Sequence, residues 1–222
     1  LAFLSLGLTL GSCTDYLNVD QYFKDRQSLE RTFQQKDYTD KWLANVYAKL
    51  STYNETVCGK YNLPFNYSDD WFWGDHNDSY VMFKMGKYDE GWHQEGWSWN
   101  YQGIRDASTL IDNIDINEEL TPDEILDYKA QARFLRACYY WNMLRRWGPI
   151  PLVPEHGMDY TADYDKLELP RNTYEECVDF ITSELVLAAK DLPLSRTNRE
   201  IAKITRGAAL GLRAKVLLYA AS

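Results

Sequence analysis

Histidine is scarce in this 222-residue chain, and the three present, His76, His93 and His156, form no His-x-x-x-His pair. Cysteine is nearly as rare, with four residues and no Cys-x-x-Cys, so a zinc site has little support. Four cysteines are also too few for a disulfide scaffold, and Cys58, Cys138 and Cys177 are read as free thiols. There is no Gly-rich phosphate cradle. After the first dozen residues no apolar run reaches the roughly 18 residues that a membrane-spanning helix requires. Basic residues are outnumbered, 24 against 33 acidic, and the resulting charge of -9 repels phosphate backbones and anionic lipid surfaces. Nucleic acid is thereby disfavoured as a partner.

Apolar and aromatic material is plentiful. The chain is 45% hydrophobic and 15% aromatic, with 8 Trp and 17 Tyr, enough for one large globular domain or two small ones. Such an aromatic surplus either fills a core or is displayed to a ligand that favours flat apolar faces.

The amino end carries an address. Leu1 to Leu10 is an apolar run of signal-peptide length that closes in Gly11-Ser12-Cys13, with no Met or basic residue ahead of it, so the chain is expected to begin inside an export signal. Leu10-Gly11-Ser12-Cys13 looks like a bacterial lipobox, in which the Cys13 sulfur carries the lipid and becomes the first mature residue. Acyl chains attached there anchor a protein at about 0.8 kcal/mol per buried methylene. The alternative is an ordinary secretory signal that happens to contain a cysteine.

From Tyr38 onward amphipathic helical stretches alternate with loops, and no convincing run of alternating strands is found. A first helix is predicted over Tyr38 to Tyr53, with Trp42, Val46, Tyr47 and Leu50 on one face. A second spans Trp97 to Ile114, its stripe being Tyr101, Ile104, Ser108, Ile111 and Ile114. The third opens on the capping box Thr121-Pro122-Asp123-Glu124 and runs to Trp147, about 39 Å at 1.5 Å per residue. Ala130, Phe134, Ala137, Trp141 and Leu144 line one of its faces. Arg145 and Arg146 suit its last turn, and Gly148 is placed to end it in a left-handed conformation before Pro149 and Pro151. A fourth helix opens on Thr173-Tyr174-Glu175-Glu176, buries Cys177, Phe180, Ile181, Leu185 and Ala188, and stops before Pro193. The fifth begins near Thr205 and is still running at Ser222, which reads as truncation at the carboxyl end. Its Gly207, Ala208, Ala209, Gly211 and Ala214 are expected to let a neighbouring helix approach closely.

Ala132 to Ala137 and Ala209 to Ala214 share the form Ala-x-x-Leu-Arg-Ala at an offset of 77. Two helical-hairpin repeats of about 34 residues with the Pro-rich stretch 148–172 inserted would produce that spacing, although chance recurrence of an alanine-rich pattern would too. The expected class is mainly α, a tetratricopeptide-like α-solenoid with long loop insertions. Residues 1–12 are expected to be a signal remnant, 13–37 a lipidated lead segment, and 38–222 the amino-terminal part of a helical domain.

The stretch from Tyr128 to Pro154, YKAQARFLRACYYWNMLRRWGPIPLVP, resembles the SusD/RagB signature: A-x-F-L-R-A-x-Y-Y-[aromatic], closing in R-[aromatic]-G-x-[IV]-P-L. Arg206 to Ala220 is similar to that family's later helix, with Gly211 at the second alanine. Cys13-Thr14-Asp15-Tyr16-Leu17 fits its lipidated lead. Trp99 to Ala107 is similar to the helix before the signature, with Ser108 where Asn is typical. The resemblance implies an outer-membrane lipoprotein of Bacteroidetes-type bacteria, facing the cell surface, that captures glycans on a tetratricopeptide scaffold. It also implies a partner, a TonB-dependent β-barrel transporter of the SusC type. Some relatives take peptides or other nutrients, so a peptide-binding interaction protein is the alternative.

Between Tyr61 and Tyr101 there are 13 aromatics in 41 residues, accompanied by seven carboxylates and two lysines. Flat faces beside hydrogen-bond acceptors suit a neutral sugar chain, whose rings offer C–H patches and hydroxyl rims. Residues 68–78 carry turn-forming Gly, Asn and Asp and are expected to form an exposed loop. Trp71 and Trp73 are the stacking candidates. Asp75, His76, Asn77 and Asp78 are candidate partners for hydroxyls, and Tyr80 and Trp92 complete the set. The competing placement has the tryptophans plugging the space between helix pairs, and Trp97 and Trp99 lean towards the core. Asp75 to Ser79 has one step of a calcium loop but lacks its glycine and distant glutamate. Adjacent carboxylates such as Asp69-Asp70 cannot flank a glycosidic bond. A binding protein that needs no cofactor and performs no catalysis is therefore expected.

Overall fold

The computed structural model describes residues 28–50, 84–87, 96–154 and 163–222. Its helices are α1 (Leu29–Gln34), α2 (Lys36–Ala48), α3 (Trp97–Asn113), α4 (Pro122–Trp147), α5 (Tyr164–Leu167), α6 (Tyr174–Asp191) and α7 (Arg206–Ala220). Single turns of 3-10 helix follow α3 at Ile114–Ile116 and precede α7 at Asn198–Glu200. Among the described residues there is no strand.

Two capping boxes set the frame. Thr121 Oγ1 accepts the Glu124 amide while Glu124 Oε2 accepts the Thr121 amide, and Thr173 and Glu176 do the same for α6. Each box satisfies two amides that the first helical turn leaves without partners, so α4 and α6 start where the residues dictate. Gly148 ends α4 at φ 67°, ψ -145°. The positive φ was expected, but this is an extended conformation open in practice to glycine alone rather than the left-handed helical one.

α4 is the axle of the fold. It packs along α3 on one side and α6 on the other, and α7 then packs on α6. Burial runs nearly round the whole helix, from Tyr128 through Leu135, Ala137, Tyr139, Tyr140 and Met143 to Leu144, beyond the single stripe predicted. Close approach occurs at Gly103 on α3, where an added Cβ would stand 2.7 Å from the Tyr139 ring. Among the described residues the expected close approach at Gly207 and Gly211 is not observed: both are exposed, and a Cβ at Gly211 would meet none of those residues within 4 Å.

Three helices also meet at a buried charge. Arg136 on α4, 2% exposed, donates through Nε and Nη2 to Glu184 Oε2 on α6, at 2.9 and 2.6 Å, and through Nη1 to Ser108 Oγ on α3, at 3.0 Å. Arg133 holds the other Glu184 oxygen at 2.7 Å. A second network ties α2 and α4 to the α6–α7 connection. Arg196 grips Asp127 with two bonds of 2.7 Å and caps the Ile204 carbonyl, whose amide in turn donates to Tyr47 Oη. Tyr47 Oη donates to the fully buried Gln131, and burial pushes its phenol up to about 12.

α1 and the first residues of α2 precede Tyr38, inside the stretch expected to be a lead segment, and Phe33 of α1 is fully buried. α2 in turn stops at Ala48, short of the predicted Tyr53. The Lys49 amide turns back to Val46 and Tyr47, while its carbonyl accepts Trp99 Nε1 at 3.0 Å. Cys138 and Cys177 are free, and burial raises both thiols above their usual range, Cys138 to about 11.

Candidate functional site

Two clefts differ in what their side chains leave available. The first, of about 690 Å³, lies where the starts of α2 and α4 meet the α6–α7 connection. Three ion pairs occupy much of its charge: Lys36 pairs with Glu124 at 2.7 Å, Arg196 with Asp127 at 2.7 Å and Lys203 with Glu200 at 2.7 Å. This is a polar seam that holds elements together.

The second, of about 610 Å³, runs along the outer face of α3 and is the candidate site. Its size lies within the usual range for small-ligand pockets. Trp97, Tyr101 and Arg105 follow one another at helical spacing along one wall, and Pro151, Val153 and Leu169 form the other. Helical periodicity places the first three residues on one face because four residues advance about one turn. The Trp97 ring meets Trp147 edge-on at 5.4 Å and Tyr101 at 5.3 Å, with the Arg171 guanidinium over it at 5.5 Å. Tyr101 Oη donates to the Pro151 carbonyl at 2.7 Å and so joins the two walls, while burial holds its phenol above the ordinary range.

The far wall has no sheet to hold it extended. Asn172 takes that role: its amide donates to the Ile150 carbonyl at 3.1 Å, its Oδ1 accepts the Leu152 amide at 2.9 Å, and its Nδ2 donates to Glu176 at 3.1 Å. Arg171 donates to the carbonyls of Trp147 and Pro149, and Tyr140 Oη accepts the Val153 amide at 3.0 Å. Ser98, Gln102 and Arg105 are exposed along the groove and supply amide, hydroxyl and guanidinium groups to its rim. A flat apolar wall with a hydrogen-bonding rim can hold a ring that has C–H faces and hydroxyl edges.

The candidates Trp71, Trp73, Asp75, His76, Asn77, Asp78, Tyr80 and Trp92 all lie outside the described residues, as does the lipidation candidate Cys13 and the third thiol Cys58. Trp97 packs against the core as expected. Trp99 does not: it is 49% exposed. The groove residues Gln102 and Arg105 were not singled out in the sequence as site residues; they lie within the Trp99 to Ala107 stretch that resembles the family helix, and they share a helical face with Trp97 and Tyr101. Among the described residues no group of three or more His, Cys, Asp or Glu could hold a metal ion, and no helix is long and apolar enough to cross a membrane.

Comparison with known proteins gives one answer. Over 141 residues the chain is 30% identical to a SusD-like protein of Bacteroides ovatus, a match covering 63% of this chain and 24% of that relative. Among solved structures, a laminarin-binding SusD-like protein superposes with a TM-score of 0.72 at 21% identity, covering 84% of this chain and 40% of that one. Surface glycan-binding protein A from Bacteroides uniformis gives a TM-score of 0.68 at 20% identity, covering 82% and 42%. The chain thus spans less than half the length of these proteins, and its helices are those of their tetratricopeptide-like fold. Residues 15–218 match the SusD-like_3 family, described as starch-binding and associating with the outer membrane, and the chain belongs to that family.

Proposed function

We propose that the protein captures oligosaccharides at the cell surface, without catalysis, and delivers them to a TonB-dependent β-barrel transporter of the SusC type. The observation that carries the reading is the groove along α3, with Trp97 and Tyr101 on one wall and exposed polar side chains at its rim, in a chain of a family described as starch-binding. Support also comes from the aromatic and carboxylate richness of 61–101, which leads directly into α3. In this reading Trp71, Trp73, Tyr80 and Trp92 extend the stacking surface, and Asp75, His76, Asn77 and Asp78 bond to hydroxyls. Acyl chains on Cys13 hold the protein on the outer membrane, facing outward.

Isothermal titration of the full chain against a panel of glycans, beginning with laminarin and soluble starch, tests the proposal. At least one glycan is expected to release binding heat, and Trp71→Ala and Trp73→Ala are expected to weaken it by about tenfold each, on the scale of a lost aromatic contact. Silence across the panel, or binding of peptides alone, overturns the reading.

A further inference from the structure

Two tryptophans brace α2 against α3 by the same device, an indole N–H donated to a backbone carbonyl across the helix pair. Trp42 Nε1 donates to the Asp106 carbonyl at 2.8 Å, and its rings turn inward against Phe33 at 5.3 Å. Trp99 Nε1 donates to the Lys49 carbonyl at 3.0 Å, but its rings remain 49% exposed. Bracing therefore does not require an indole to stand in water, and the exposure of Trp99 calls for another reason.

The ring is held from one side by two contacts, its bond to the Lys49 carbonyl and the Lys49 ammonium. Lys49 Nζ stands over it at 5.2 Å, and that ammonium is itself fixed by a 3.1 Å ion pair with Asp106, both partners being nearly buried. Asp106 is further tied to Asn45 at 3.4 Å and to Arg105 at 3.5 Å. One face of the indole is backed by this cluster and its single polar atom is already bonded, so the surface it shows to solvent is a fixed apolar plane. A preorganised plane of this kind gives up little conformational freedom when a partner settles on it.

Among the described residues the patch is also small. The other exposed large apolar residues of α6, α7 and their connection, such as Val186, Leu194, Ile201 and Leu218, are on elements that do not border Trp99, whereas Asn45 and Gln102 nearby are exposed and polar. A single indole with an amide rim is far below the roughly 800 Å² per partner that a stable protein interface buries. It matches one sugar ring. Trp99 touches Lys49 and lies three residues after Gly96, and in the sequence most of the aromatic-rich stretch falls between these two residues.

We propose that Trp99 is a stacking platform for the apolar face of a single pyranose ring, a contact point additional to the α3 groove and to the tryptophans of 68–78. The assignment rests on the glycan-capture reading and adds to it a second place where the chain of sugars is held.

The test uses the full chain labelled with 5-fluorotryptophan, with laminarin and soluble starch as probes. The fluorine resonance that disappears in Trp99→Phe identifies residue 99, and it is expected to shift on addition of the glycan that binds. By calorimetry Trp99→Ala is expected to weaken that glycan by about five- to tenfold, whereas Trp99→Phe, which keeps a flat ring but loses the bond to Lys49, stays within about twofold of the parent. If Trp99→Ala binds as the parent does, or if both variants lose affinity equally in step with a loss of helical signal, Trp99 is a brace only and the platform is refuted. If the parent protein binds neither probe nor any other glycan, the capture reading itself fails and the platform falls with it.

Discussion

α4 and α7 carry the same hexapeptide pattern and meet opposite fates. In Ala132 to Ala137 the alanines, Leu135 and Arg136 are all buried, and the arginine is locked between Glu184 and Ser108. In Ala209 to Ala214 only Ala209 is fully buried; Leu212 is half-buried, Ala214 is exposed, and Arg213 Nε finds no acceptor among the described residues. The pattern makes a helix in both places, since alanine, leucine and arginine all favour one. What it does not determine is how many neighbours the helix has among the described residues: α4 has α3 and α6 along its flanks, whereas α7, the last helix of a chain that spans less than half the length of its relatives, rests mainly on α6.

The sharpest way to break the comparison is to remove each arginine. Arg136→Ala leaves Glu184 buried with Arg133 as its remaining partner, and urea unfolding is expected to show a loss of about 3–5 kcal/mol. Arg213→Ala is expected to cost less than about 0.5 kcal/mol, like other changes at partly exposed sites. Equal losses would mean that the two helices are packed alike. The glycines give a smaller contrast of opposite sign. Gly103→Ala pushes a methyl into the Tyr139 ring and is expected to cost about 1–3 kcal/mol, whereas Gly211→Ala enters open space and gains about 0.5–1 kcal/mol of helix propensity. Thermal melts of the pair would separate them by direction alone.

The smallest contrast lies at the amino ends. Glu124 bonds to Lys36 and to the Thr121 amide, and these hold its carboxyl down at about 2. Because the folded value lies below the unfolded one, this contribution is complete above about pH 4.5 and fades as pH falls towards 2. The pair is well exposed, so it is worth about 1 kcal/mol or less. α7 has Ala208 at the corresponding position behind its Thr205 cap and carries no such dependence. Glu124→Gln is accordingly expected to flatten the acid limb of the stability curve between those pH values, as followed by urea titrations.

Legibility followed the range of the forces involved. The starts of α4 and α6 were readable to the residue because a capping box is contained within four positions, and the end of α4 because Gly148 and Pro149 follow it directly. The end of α2 was not, because the group that takes the Lys49 carbonyl lies fifty positions further along, on Trp99. Burial all round α4 was hidden for the same reason, since Gln131 and Arg136 look like surface residues until Tyr47 and Glu184 arrive. α1 is too short to show a periodic stripe, and Phe33 alone gave no signal of a fully buried anchor. Of the groove, Trp97 and Tyr101 were visible as aromatics on a helix. The opposite wall was not, because it is shaped by hydrogen bonds to Asn172 rather than by any run of apolar residues.

Asn172 binds Ile150 and Leu152 on one side and reaches into the opening turn of α6 on the other. The wall is therefore indexed to the helix it precedes. A single asparagine thus sets the separation of cleft and helix, and its loss would free the far wall without altering any apolar side chain that faces the cleft.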